Sequence, residues 1–214
     1  MNLALFDFDG TITNNDNFTS FVRYAVHRRR LILGRIVLFP ILLCYKLRLI
    51  SATRTREIVS IVAFRGRKIF DLMNVGRTYS QEVLPQFIRE NALRRIRWHK
   101  EQGDRIVVVS ASLGVYLRPW CEHYGLEVIC TDFEVKEGIV TGRYRLGDCT
   151  GEEKAKRIAE KCDIREYSRV YAYGDTSEDR EMLSLANIKY FRWKEVGEAP
   201  CSETKCDKGE IAAS

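Results

Sequence analysis

Short apolar runs that stop at acids or hydroxyl residues, with helical patterns between them, constrain this chain more than any other feature. Leu3–Phe8 is the first such run, and it ends in acids and a glycine. Arg105–Ser110 is the second, Glu127–Cys130 the third, Arg169–Tyr173 the fourth and Ile188–Phe191 a fifth. Runs this short and this apolar read as strands buried on both faces. Helical periodicity is expected over Pro85–Gln102, Leu113–Tyr124, Glu152–Cys162 and Ser177–Ala186. Alternation of the two implies an α/β fold with a mostly parallel sheet covered on both sides. Thr131–Tyr144 breaks the alternation and reads as a hairpin around Lys136-Glu137-Gly138.

Residues 12–84 lack strand signals and read as an Arg-rich helical insertion directly after the first strand. Residues 197–214 lack periodicity and read as a flexible tail. The 214 residues are enough to bury a core without staples. The seven cysteines are irregularly spaced with no C-x-x-C, which argues against a disulfide framework or zinc ribbon. Three scattered histidines argue against a His-ligated metal. Asp7 and Asp9 interrupt the apolar N-terminus, so a secretory signal is not expected and the chain is placed in the cytoplasm.

The net charge is +6, from 35 Lys plus Arg against 29 Asp plus Glu, and implies an anionic partner. That charge is uneven: residues 23–104 carry 18 Lys plus Arg and only 6 Asp plus Glu. Within the insertion, Leu31–Ile50 is strongly apolar but is interrupted by Arg35, Pro40, Lys46 and Arg48. A membrane span needs ~20 predominantly apolar residues, so spanning is not expected. Flanking basic residues from Arg28 to Arg56 fit peripheral contact with an anionic membrane through residues 28–56. A buried helical hairpin of the insertion fits equally. No interleaved aromatic signature for nucleic acid is present, and no nucleic-acid partner is expected.

Chemistry gathers at the strand ends. Asp7-Phe8-Asp9-Gly10-Thr11 ends the first strand, and Gly174-Asp175-Thr176-Ser177-Glu178-Asp179 ends the fourth. Carboxylates this close repel unless a hard cation favours their ionised forms. Asp175 and Asp179 share one helical face if a helix begins near Ser177. Oxygen-only donors converging at the carboxyl edge of a parallel sheet point to magnesium, Mg²⁺. Ser110-Ala111-Ser112 ends the second strand and offers a hydroxyl and turn amides to an anion. Lys154 begins a helix and is a second anion contact, with Lys156 as its rival. A cation, a hydroxyl, a lysine and backbone donors together fit a phosphoryl group.

These motifs, in order D-F-D-G-T, Ser110 after V-V-V, Lys154 in G-E-E-K and G-D-T-S-E-D, resemble the haloacid dehalogenase (HAD) superfamily of phosphohydrolases. The long insertion resembles the helical cap of its phosphoserine-phosphatase-like branch, subfamily IB. That likeness implies a Rossmann-like core over residues 1–11 and 85–196, with residues 12–84 as cap. It implies Asp7 as a nucleophile that becomes phosphoaspartate, and Asp9 as general acid and then general base. Mg²⁺ would be held by Asp7, Asp175 and the Asp9 carbonyl, with Asp179 completing the cluster. Ser110, Ala111, Gly10 and Lys154 would meet the phosphoryl oxygens.

Asp16 stands nine residues after Asp7, where the phosphoserine phosphatases carry a Glu that meets the substrate ammonium. It is equally an N-cap for the next helix. The segment around Asp16 to Arg29, followed by the apolar stretch, is also similar to the phosphatidylglycerophosphatase C type of lipid phosphatase. Phosphomonoester hydrolysis, on a small or lipid-linked substrate, is therefore the expected function. An amino-acid phosphatase is an alternative. A non-catalytic module binding anions or a membrane surface is an alternative of another class. A phosphoacceptor receiver domain is disfavoured by the 90-odd residues between the first two strands.

Overall fold

The computed structural model describes residues 1–197; the tail expected over 197–214 lies almost wholly outside the described residues. Eight strands and eight α-helices follow in the order β1 (Leu3–Phe6), α1 (Asn17–Ala25), α2 (Arg28–Lys46), α3 (Ala52–Phe64), α4 (Ile69–Glu82), α5 (Glu90–Glu101), β2 (Arg105–Leu113) and α6 (Gly114–His123). Then come β3 (Glu127–Thr131), β4 (Phe133–Lys136), β5 (Ile139–Tyr144), α7 (Glu152–Lys161), β6 (Val170–Gly174), α8 (Arg180–Ser184), β7 (Ile188–Phe191) and β8 (Lys194–Val196). The main sheet has the order β3-β2-β1-β6-β7-β8 and is parallel except for the edge strand β8. β1 is central, with Phe6 opposite Val108 on one side and Tyr173 on the other.

Period-two alternation explains the layers. Ala4 and Phe6 of β1 join Val108 and Tyr173 in one apolar cluster, which takes in α1, α4, α5 and α6. Leu3 and Leu5 join Val107, Val109 and Ala172 in the second, beneath α7 and α8. A sheet so covered leaves its carboxyl edge as the place where polar residues meet.

Several expectations need correction at the element ends. β1 stops at Phe6, and residues Phe8–Ile12 form one wide turn in which Gly10 has φ +81°. β2 runs past Ser110 to Leu113, with a register shift after Val109. Helix Pro85–Gln102 is broken into a 3₁₀ turn, Leu84–Phe87, and α5, because Arg89 is extended. Helix Ser177–Ala186 is a 3₁₀ turn followed by α8. Asp175 therefore precedes any helix and does not share a helical face with Asp179. The edge strand β8 had no expectation.

The insertion forms four helices. α2 passes through Pro40, which cannot donate to the carbonyl of Ile36; both residues are exposed, so water can serve that carbonyl. The β4–β5 hairpin is bonded to the insertion rather than to the main sheet. Gly66 and Arg67 exchange backbone bonds with Val140, and Ile69 donates to the Gly138 carbonyl.

Candidate active site

The carboxyl ends of β1, β2 and β6 meet the start of α7. Asp7 follows β1 directly and its amide donates to the Tyr173 carbonyl of β6 at 2.9 Å. Lys154, in the first turn of α7, is 2% exposed. Its Nζ donates to Asp7 Oδ1 and to Asp179 Oδ1, each at 2.6 Å. Lys156 is exposed and 3.5 Å from Glu153, so of the two rival lysines the fold brings Lys154 to the acids.

Asp7, Asp175 and Asp179 each offer an oxygen within 4.8 Å of the others. Burial and the Asp179 charge hold the Asp7 carboxyl well above its ordinary range, against the pull of Lys154. Asp175 is raised for the same two reasons. Burial also opposes ionisation of Asp179, but Lys154 and the amides of Asp175 and Thr176, each 3.0 Å from Oδ2, outweigh it and hold it low. Lys154 is held above its ordinary value: burial opposes, but its two acids win. Three carboxylates share a single lysine, and the two held above their ordinary range mark a hard, oxygen-only donor set short of positive charge. That set fits Mg²⁺.

Gly10 is required by this packing. A Cβ there would lie 2.2 Å from Asp175 Oδ2, and its φ is one that side chains rarely adopt. Thr11 Oγ1 donates to Asp175 Oδ1 at 3.2 Å. Ser110 is buried, and its Oγ accepts from the Ser112 amide at 3.0 Å. Ser110 and Ala111 line the same cavity as Asp7 and Lys154.

The Asp9 carboxylate lies outside the three-acid cluster, so its side chain does not join Asp7, Asp175 and Asp179 as a ligand. It turns instead to Asn17, whose Nδ2 donates at 2.5 Å and whose amide donates at 3.2 Å, and to Ser112 Oγ at 2.6 Å. Burial pushes its carboxyl up to about 6 despite these donors. Tyr116 donates to Ser112 Oγ at 2.9 Å and completes the chain. Asn17 and Tyr116 carried no motif signal; Ser112 stood in the Ser110 motif without a role.

Asp16 caps α1, accepting from the Thr19 amide at 3.2 Å and from Thr19 Oγ1 at 2.6 Å, and also lines the cavity wall. Arg56 of α3, which the sequence offers as part of the basic flank for a membrane surface, is instead engaged within the fold. It reaches Asp148 at 2.8 Å and Glu178 at 3.1 Å, tying the insertion to the loops beside the acids.

The sequence profile of the haloacid dehalogenase-like hydrolases matches residues 4–184. Protein CicA of Caulobacter vibrioides is 29% identical over 202 residues, covering 89% of this chain and 85% of that protein. A histidinol-phosphatase of Neisseria meningitidis is 25% identical over 217 residues, 87% of each. Among solved structures, a protein of unknown function from Bordetella pertussis Tohama I superposes with a TM-score of 0.76 at 20% identity over 88% of each chain. A phospho-aspartyl intermediate analogue of phosphoserine phosphatase superposes at 0.60 with 19% identity, over 87% of this chain and 84% of that one. With the profile spanning both carboxylate motifs and the lysine, this chain belongs to the haloacid dehalogenase-like hydrolases.

Proposed function

We propose that the chain is a Mg²⁺-dependent phosphomonoester hydrolase that works through a phosphoaspartate. The observation that carries this is the placing of two buried carboxylates two residues apart with different partners, Asp7 on Lys154 and Asp9 on Asn17 and Ser112. Asp7 is clamped through Oδ1 by Lys154, while Oδ2 has no hydrogen-bond donor among the described residues. Asp9, raised to about 6, can hold a proton near neutral pH. An Asp7 oxygen attacks phosphorus, and the ester bond to the alcohol breaks as Asp9 gives the alcohol its proton. Asp9 then takes a proton from water as the water attacks the phosphoaspartate. That step breaks the Asp7–phosphorus bond and releases phosphate.

Ser110 and the β2 backbone at Ala111 stand ready to bind the phosphoryl oxygens, as does the Lys154 ammonium. Asp7, Asp175 and Asp179 would hold the cation, which supplies charge neutralisation at the phosphoryl group. Residues 12–84 act as cap over a core of 1–11 and 85–196. The substrate is a small or lipid-linked phosphomonoester. The basic character of residues 28–56 and the exposed apolar residues of α2 support peripheral contact with an anionic membrane; no described helix is long and apolar enough to cross one.

Turnover of p-nitrophenyl phosphate tests the reading. It should require Mg²⁺, stop with EDTA, and fall on the order of a thousandfold or more in Asp7→Asn. Undiminished turnover in folded Asp7→Asn sinks the proposal.

A further inference from the structure

Above the acids, the cavity is not built for a polar alcohol. It has a volume of about 850 Å³ and runs from Asp7, Ser110 and Lys154 up between α2 and α3. A water's share of liquid volume is ~30 Å³, so a phosphoryl group fills only a small part of it. Leu31, Leu38 and Leu42 of α2 and Val59 and Val62 of α3 form an apolar side of the wall, while Asn14, Asn15, Thr19 and Arg23 line the side toward α1. Gly34 is buried on this face of α2, and a Cβ there would sit 3.4 Å from Val62 Cγ1. That is ordinary van der Waals distance, so Gly34 marks a close approach of α2 and α3 along the cavity wall.

Most charged groups along this wall are already engaged. Arg30 donates to the carbonyls of Val62 at 2.9 Å and Arg65 at 2.8 Å. Arg56 is paired with Asp148 and Glu178. Asp16 accepts from Thr19 and keeps an exposed carboxylate at the wall. An amino-acid head needs an acid for its ammonium and a cation for its carboxylate; Asp16 and Arg23, both exposed at the wall, are the two groups that would supply them, and the O-phosphoserine arm of the test below reads them.

α2 also has a second apolar face. Ile32, Ile36, Phe39 and Leu43 recur at helical spacing on the side away from Leu31 and Leu38. They are open: Ile36 and Phe39 are each 69% exposed. No acid occurs from Asn17 to Arg56, while nine Lys and Arg do. Leu42 and Tyr45 line the cavity and are themselves exposed, so its mouth opens beside this basic, apolar surface. A helix apolar on both faces normally lies inside a core. Here it stands between the cavity above the acids and solvent.

Resting on the phosphomonoesterase reading, we propose that the cleft between α2 and α3 binds the apolar chain of an amphiphilic phosphomonoester whose phosphoryl group sits at Asp7, Ser110 and Lys154. The chain length of the alcohol then sets specificity, and Leu38, Val59 and Val62 are specificity-determining residues.

The test is kcat/KM for ethyl, butyl, hexyl and octyl phosphate, each below its micelle concentration, beside O-phosphoserine and p-nitrophenyl phosphate. Burial of methylenes predicts a rise of roughly tenfold for every two carbons. Leu38→Gln or Val59→Gln should cut that step below about threefold, while Phe39→Gln on the outer face keeps it. Phosphatidic acid in phosphatidylcholine vesicles separates the sources. Its turnover assigns a bilayer lipid; turnover of soluble chains alone assigns a free amphiphile. A flat series in an enzyme that hydrolyses p-nitrophenyl phosphate overturns the cleft and leaves the phosphatase reading standing, as does a preference for O-phosphoserine. If no ester is hydrolysed, titration calorimetry with octyl and ethyl phosphate decides. Octyl phosphate bound at least tenfold tighter supports the cleft, and equal affinity overturns it.

Discussion

Asp9 is oriented by its neighbours. Its two oxygens take three donors, two from Asn17 and one from Ser112, and these fix its direction while burial raises it to about 6. Ser112 is itself held by Tyr116, so it is a positioning residue. Ser112→Ala should lower kcat for p-nitrophenyl phosphate by about tenfold with KM little changed, and Ser112→Thr should restore most of it. An equal loss in KM would show that Ser112 touches substrate instead. Asp7, Asp9, Asp175 and Lys154 were legible because strand ends and short motifs mark them. Asn17 and Tyr116 were not, because they join the site through hydrogen bonds between residues apart in the chain, which no local pattern records.

At the scale of elements, helix and strand types were readable from periodicity, but their ends were set by contacts. α5 starts late because Arg89 is extended, its amide donating to the Ile12 carbonyl and its Nε to the Thr13 carbonyl. The Asp175–Asp179 stretch fails to become a helix from its first residue because Asp179 Oδ2 accepts from the amides of Asp175 and Thr176. The hairpin joins the insertion because its backbone pairs with residues 66–69. Close approach of α4 to α6 rests on Gly76, where an added Cβ would lie 2.2 Å from the Val115 carbonyl oxygen. Gly76→Ala must push two helices apart and should cost about 1–3 kcal/mol, read as a lower denaturant midpoint with unchanged slope. A midpoint equal to wild type would mean the helices separate freely.

For the whole molecule, the two apolar clusters are joined through β1, and a buried polar chain crosses behind it. His99 of α5 is fully buried, with Nδ1 2.8 Å from Asp104 Oδ2 and Nε2 2.9 Å from the Tyr173 hydroxyl. Tyr173 also accepts from Arg95 Nε at 2.7 Å, so its own proton goes to a neutral His99 Nε2. Burial lowers the His99 pKa below its ordinary 6.5, with Arg95 adding to it and Asp104 opposing. The unfolded chain therefore takes up this proton first. Stability from His99 is complete above about pH 6.5 and is lost as pH falls below it, by at most about 1.4 kcal/mol per unit. Urea unfolding at pH 7.5 and pH 5 should show this loss in wild type and a smaller one in His99→Gln. Equal losses in the two proteins would remove His99 as the cause.

The sequence by itself determined the alternation of strands and helices, the acidic strand ends and the basic, apolar character of the insertion. Those are local properties, carried by periodicity, spacing and residue type. Tertiary structure alone decided which lysine meets Asp7, that the Asp9 carboxylate turns away from the three-acid cluster, and that α2 shows one apolar face to the cavity and another to solvent. Each of these depends on groups distant in the chain brought within a few ångströms, where burial and hydrogen bonding set charge and direction.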